Sequence, residues 1–150
     1  MKLAIGTDHA GFELKEKLKG ELIALGHEVD DLGAFAYEPL DDYPDFAEAV
    51  AKAVANGQDE RGLVVCGSGV GACVAANKVR GARAAVATES YSARQGVEHD
   101  DVNVLVLGGR VIGVEVAREC LHAFLGAKFS GEERHVRRLE KVKAIEAGER

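Results

Sequence analysis

The sequence predicts an α/β protein built on an open parallel sheet covered by helices on both faces. Two observations carry that prediction. Five short apolar runs, each of strand length and apolar enough to be buried, alternate with longer segments whose apolar residues recur at helical spacing. One of those runs, Leu63-Val64-Val65-Cys66, feeds a turn with glycines at alternate positions, Gly67, Gly69 and Gly71, and then an Ala-rich helical stretch. A strand, a glycine turn and a helix start together form an anion cradle, because glycine lets backbone N–H groups approach a ligand.

Each element has its own signal. Lys2 to Gly6 reads as a first strand, followed by the polar turn Thr7-Asp8-His9-Ala10-Gly11. Leu14, Leu18, Leu22 and Leu25 form one helical face, and Gly26 stops that helix. Glu28 to Leu32 reads as a short second strand, and Gly33 to Tyr43 as a loop. Asp42-Tyr43-Pro44-Asp45 opens the next helix, with proline and acid in its first turn and Phe46, Val50 and Val54 on its apolar face. After the glycine turn and its helix come a fourth strand, Ala82 to Ala87, a polar helix, Ser90 to Glu98, and a fifth strand, Val104 to Leu107. Gly108-Gly109-Arg110 is a second glycine turn. The helix from Val114 to Leu125 should bury Val116, Ala117, Cys120, Leu121 and Phe124. A basic helical tail follows, with Val136, Leu139, Val142 and Ile145 as its apolar face.

The 150 residues suit one domain, read as an α/β core over 1–126 and a C-terminal arm over 127–150. The net charge of -6 argues against nucleic acid or an acidic membrane as partner. No run approaches the length of a membrane span, and no signal peptide is recognisable. Three cysteines without paired spacing suggest reduced thiols, hence a cytoplasmic location.

In an open parallel sheet, ligands bind beyond the carboxyl ends of the strands. That rule is expected to gather Asp8-His9, Asp42-Tyr43, the Cys66 turn, His99-Asp100 and Arg110 on one edge. Cys66 ends its strand and faces a helix start, a position that favours the thiolate and suits a nucleophile or base; its plain alternative is a small buried hydrophobe. Cys73 and Cys120 read as the latter. Asp8 is either an N-cap or a functional acid. Arg134 and Arg138, one helical turn apart, form either a solvated face or a phosphate clamp. His135 adjoins them without an assigned role. Gly67-Ser68-Gly69-Val70-Gly71-Ala72, with Glu89 about twenty residues on, also satisfies the dinucleotide fingerprint, so a non-catalytic nucleotide- or phosphometabolite-binding module is the competing reading.

Several separated motifs then converge on one family. Ile5-Gly6-Thr7-Asp8-His9-Ala10-Gly11, Asp42-Tyr43-Pro44-Asp45, Cys66 to Gly71 continuing to Ala75-Ala76-Asn77-Lys78, Gly81 to Ala85, Glu98-His99 to Leu105, Gly108-Gly109-Arg110, and Arg134-His135 with Arg138 match in order and spacing. Over nearly its whole length the sequence resembles the ribose-5-phosphate isomerase B / galactose-6-phosphate isomerase (RpiB/LacAB) family. The resemblance implies a Rossmann-like three-layer α/β/α sandwich with strand order 2-1-3-5-4. It also implies a metal-free aldose–ketose phosphosugar isomerase without cofactor, acting as a homodimer or homotetramer whose sites combine two subunits. By matching position, Cys66 would move the proton between C1 and C2 through a cis-enediolate, and N–H groups from Gly67 to Gly71, Gly69 and Val70 included, would hold the oxyanion with help from the Ser68 hydroxyl. Asp8 and His99 would open and orient the sugar. His9, Arg110, Arg134 and Arg138 would hold phosphate, with His99 and Arg110 arriving from the neighbouring subunit, and Asp42 and Tyr43 would line the pocket. Where the family often has Glu-His-Asn-Asp, this chain has Glu98-His99-Asp100-Asp101. An ionised Asp100 only accepts hydrogen bonds, so four- and six-carbon phosphosugars stand beside ribose 5-phosphate as expected substrates.

Overall fold

The computed structural model describes all 150 residues. Five parallel strands form one sheet: β1 (Lys2–Thr7), β2 (Glu28–Asp31), β3 (Arg61–Cys66), β4 (Ala84–Val86) and β5 (Val104–Gly108), in the order β2-β1-β3-β5-β4. Six helices connect and flank them: α1 (Phe12–Ala24), α2 (Tyr43–Ala55), α3 (Val70–Ala76), α4 (Ser90–Asp100), α5 (Val114–Gly126) and α6 (Glu133–Glu146).

The two-residue alternation of the strands sorts the core into two layers. Leu3, Ile5, Leu63, Val65, Leu105 and Leu107 face α1, α4 and α5, where Leu18, Leu22, Val97, Leu121 and Phe124 are buried. Ala4, Val64, Cys66, Val104 and Val106 face α2 and α3, where Val50, Ala51, Ala72 and Ala76 are buried. Both faces of the central strands are therefore covered, which explains their unbroken apolar sequence. Gly26, at φ +86°, ends α1 as expected of a left-handed stop.

Some helix faces differ from the sequence expectation. Leu25 falls past the end of α1 and is exposed, as is Val116 on α5. On α6 only Leu139 of the four apolar residues is buried; Val136, Val142 and Ile145 lie open. Periodicity identifies a helix, but one flank of the apolar stripe reaches beyond what the neighbouring elements cover.

Lys15 is wholly buried in α1, where a charge is costly unless paired. Its Nζ lies 3.0 Å from Asp31 Oδ2 and donates to the Ala34 carbonyl at 2.9 Å. Burial pushes the Asp31 carboxyl up, but bonds from Lys19, the Gly33 N–H and Lys15 outweigh it and hold the group below its ordinary value. Together with Thr7 N to Gly33 O and Ala34 N to Thr7 O, both 2.8 Å, these bonds tie the loop after β2 to the carboxyl end of β1.

Candidate active site

The strand order reverses between β1 and β3, so the crevice beyond their carboxyl ends is where this architecture places a ligand. On the β1 side, Asp8 begins a single 3₁₀ turn over His9–Gly11. Its Oδ1 accepts from the N–H groups of Ala10 at 3.0 Å and Gly11 at 3.3 Å, so the capping role is present. The side chain is buried, with its second oxygen making no hydrogen bond in the chain. Gly11 is sterically required: a Cβ there would lie 2.6 Å from the Val65 carbonyl carbon. That contact presses the turn against β3.

On the β3 side, Cys66 is 6% exposed and belongs to the α2/α3 layer. Gly69 takes φ +85°, a left-handed conformation open to glycine, and swings the chain into α3. The adjoining turn locks onto it: Gly109 N donates to Cys66 O at 2.7 Å and Arg110 N to Gly67 O at 3.0 Å. A Cβ on Gly108 would meet the Ser68 carbonyl oxygen at 2.5 Å, so this position too requires glycine. Val70 N donates to Ser68 Oγ at 3.2 Å. The N–H groups of Gly67, Ser68, Gly69, Gly71 and Ala72 make no hydrogen bond within the chain. A row of unspent donors thus follows directly on the thiol. Tyr43, at the start of α2, lays its ring against Gly71, where a Cβ would approach the ring at 2.5 Å. Asp42 is exposed and makes no capping bond.

His9 has a partner that the sequence reading does not name. Its Nδ1 lies 2.7 Å from Asp41 Oδ1, and the same oxygen accepts the His9 backbone N–H at 2.9 Å. The helix-start pattern points to Asp42 and Tyr43; nothing in the spacing distinguishes Asp41, one residue earlier. Asp8, His9 and Asp41 each offer one ligand atom within 4.8 Å of the others, a donor set a metal ion could accept, although the His9–Asp41 hydrogen bond already accounts for the proximity.

His99 and Asp100 are not on this edge, contrary to expectation. α4 continues two residues past Glu98, so both lie in its last turn, at the amino end of β5. There His99 Nδ1 lies 2.8 Å from Gln95 Nε2, and its ring stacks on His135 at 4.0 Å between centroids. Arg134 and Arg138 share α6 with His135 and are exposed; Arg134 pairs with Glu132 at 2.9 Å, while Arg138 has no ion-pair partner. Arg110 does lie on the Cys66 edge, as the strand-end rule expects. It lies beside Gly67 of its own chain, with its Cδ 3.7 Å from where a Gly67 Cβ would stand.

His135 is buried against this cluster, with Ser130 Oγ 2.5 Å from Nδ1 and Nε2 unpartnered. Burial, then the charges of His99, Arg134 and Arg138, hold its pKa below the ordinary 6.5, with Glu132 opposing. A histidine depressed in the folded state binds its proton more readily when unfolded. The stability it contributes is therefore present above pH 6.5 and declines as the pH falls below that value. A melting series from pH 7.5 to 5 should show Tm decreasing through this window. The His135→Gln variant should show a shallower decrease, and an unchanged slope would remove His135 as its origin.

The dinucleotide reading does not survive the geometry. Glu89 accepts Ser92 N at 3.1 Å and 3.0 Å as the N-cap of α4, and it follows β4, which β5 separates from β3. The acid is therefore engaged, and it lies two strands from the glycine turn.

Fold and site together define a doubly wound α/β protein with one thiol, one histidine–carboxylate pair and a row of free backbone donors at its switch point. A family profile described as Ribose/Galactose Isomerase matches residues 3–142, and the chain belongs to that family. It is 46% identical to ribose-5-phosphate isomerase B of Escherichia coli, covering 97% of this chain and 96% of that one. It is 40% identical to D-erythrulose-4-phosphate isomerase of Pectobacterium atrosepticum, over 87% and 86% of the two chains. The solved ribose-5-phosphate isomerase B of Clostridium thermocellum superposes with a TM-score of 0.96 at 47% identity, covering 99% of each chain.

Proposed function

We propose that the chain is one aldose–ketose isomerase domain that interconverts ribose 5-phosphate and ribulose 5-phosphate, with Cys66 as the base. The observation that carries this reading is the Cys66 thiol followed immediately by unpaired N–H groups at Gly67, Ser68, Gly69 and Gly71. Isomerisation requires that pairing: a base for the carbon acid and donors aimed at the oxygen where charge develops.

In the open-chain aldose, the Cys66 thiolate takes the C2 proton. The C2–H electron pair becomes the C1–C2 double bond, and the C1 carbonyl oxygen becomes an enediolate oxygen facing the free N–H groups. Transfer of the O2 proton to O1 and return of the thiol proton to C1 give the ketose. Electrons stay on the sugar, so the step balances without a redox partner. Asp8 and His99 orient the sugar for ring opening, Tyr43 and Asp42 border it, and His9, Arg110, Arg134 and Arg138 bind the phosphate, spending remote binding energy on orientation.

Within one chain, His99 and the α6 arginines lie at the far end of the sheet from Cys66. None of the five concavities of the single chain is lined by Cys66. Both facts support a homodimer, or a tetramer of such dimers, in which a second copy supplies His99, Arg134 and Arg138. A cytoplasmic location fits a phosphorylated substrate and free thiols. Asp100, exposed beside His99, is the residue through which a four- or six-carbon sugar would be preferred instead.

The test is an NMR panel of four-, five- and six-carbon aldose phosphates in D2O. Ribose 5-phosphate should give ketose fastest, with solvent deuterium entering the carbon-bound position. Faster turnover of erythrose 4-phosphate would reassign the sugar, and no ketose from any member would remove the isomerase reading.

A further inference from the structure

We propose that Asp41 is the positioning residue for His9, and that it fixes which ring nitrogen meets the substrate phosphate. An ionised carboxylate only accepts, so the proton on the 2.7 Å His9 Nδ1–Asp41 Oδ1 bond belongs to Nδ1. Nε2, on the far side of the ring, is then the nitrogen left for the substrate: an acceptor in the neutral ring, and an N–H donor to a phosphate oxygen once the ring takes a second proton.

Further features make this a built arrangement. The same Oδ1 also holds the His9 backbone N–H at 2.9 Å, so one atom fixes both main chain and ring. The Tyr37 ring stands edge-on to the imidazole at 6.1 Å between centroids. Asp41 Oδ2 is buried with no hydrogen-bond partner, so His9 is the only group that the carboxylate engages. The Asp41 side chain is only 11% exposed, so it is set into the protein and not a mobile surface acid. Its loop is in turn anchored at Ala34 by buried Lys15.

The role rests on the phosphate-binding assignment of His9 made above. A ring free to rotate would present either nitrogen and bind phosphate less tightly, while proton transfer at the thiol would be untouched. The expected signature is therefore a loss in KM with kcat preserved.

The experiment compares wild type, Asp41→Asn and Asp41→Ala in the full chain, with kinetics on ribose 5-phosphate and long-range 1H–15N spectra of the His9 imidazole, with and without inorganic phosphate. Wild type should show the proton on Nδ1. Asp41→Ala should raise KM about tenfold or more, keep kcat within about threefold, and lose that tautomer preference. Asp41→Asn keeps an acceptor oxygen and should restore KM to within about threefold of wild type and retain the Nδ1–H tautomer. An Nε2–H tautomer in wild type, or an unchanged KM in Asp41→Ala, overturns the proposal. If wild type turns over no phosphosugar, the functional reading fails instead, and the tautomer comparison still decides the Asp41–His9 relation.

Discussion

Replacing Cys66 by alanine is expected to lower kcat for isomerisation by about two to four powers of ten while leaving fold and substrate binding in place. The magnitude follows from the role: a positioned general base contributes about 10²–10⁴ in rate, and no second titratable group stands at the end of β3 to take over. The fold should hold because the side chain is small. Losing one sulfur from the α2/α3 layer costs roughly 1 kcal/mol and lowers Tm by about 2–4 °C. Binding should persist because the free N–H row and the phosphate contacts do not depend on the thiol. Ribose 5-phosphate should therefore still raise the Tm of the variant. Cys66→Ser should also be slow, since a hydroxyl is a far poorer base near neutral pH. Activity near that of wild type in Cys66→Ala would move the base elsewhere, and loss of ligand-induced stabilisation along with kcat would make Cys66 a structural residue.

The parts of this protein that could be read from its sequence are those governed by local rules. Glycine and proline punctuation located the turn at Gly67–Gly71, the stop at Gly26 and the start of α2, because each marks a backbone demand that neighbouring residues cannot meet. Apolar runs located the central strands, since burial on both faces leaves few polar positions. What escaped depends on contacts between distant segments. Lys15 reads in the sequence like any charged helix residue, and only its meeting with Asp31 and the Ala34 carbonyl, beside its neighbour Glu16, explains its burial. Asp41 gains its meaning from His9, thirty-two residues earlier. His99 and Asp100 were placed on the wrong edge for a simple reason. They precede β5, and a segment leading from a helix into a strand lies at that strand's amino end whether the helix stops at Glu98 or at Asp100. The family resemblance already assigned His99 to a second subunit, and the topology supplies a reason for that assignment.

That topology leads to the second large effect. Cys66 pairs in register with Gly108 at the carboxyl end of β5, and Gly62 with Val104 at the amino end. At about 3.3 Å per residue the two levels are roughly 13 Å apart, and the last turn of α4 lies at the Val104 level. His135 stacks on His99, so α6 and its Arg134 and Arg138 stand on that same side. In the proposed dimer, a sugar phosphate in contact with Cys66 of one chain would therefore meet Arg138 of the other. Suppose Cys66→Ala and Arg138→Ala chains are unfolded together and refolded as a mixture. Each parent should be nearly inactive at substrate far below KM: one lacks the base and the other a phosphate contact. In a mixed dimer, one of the two sites takes Cys66 from the Arg138→Ala chain and Arg138 from the Cys66→Ala chain, and is intact. With random pairing, half the dimers are mixed and half their sites are whole, so about one quarter of wild-type activity should return. Activity no greater than the sum of the parents would place base and phosphate clamp in one chain, and would require α6 to leave its position against α4 to reach its own Cys66.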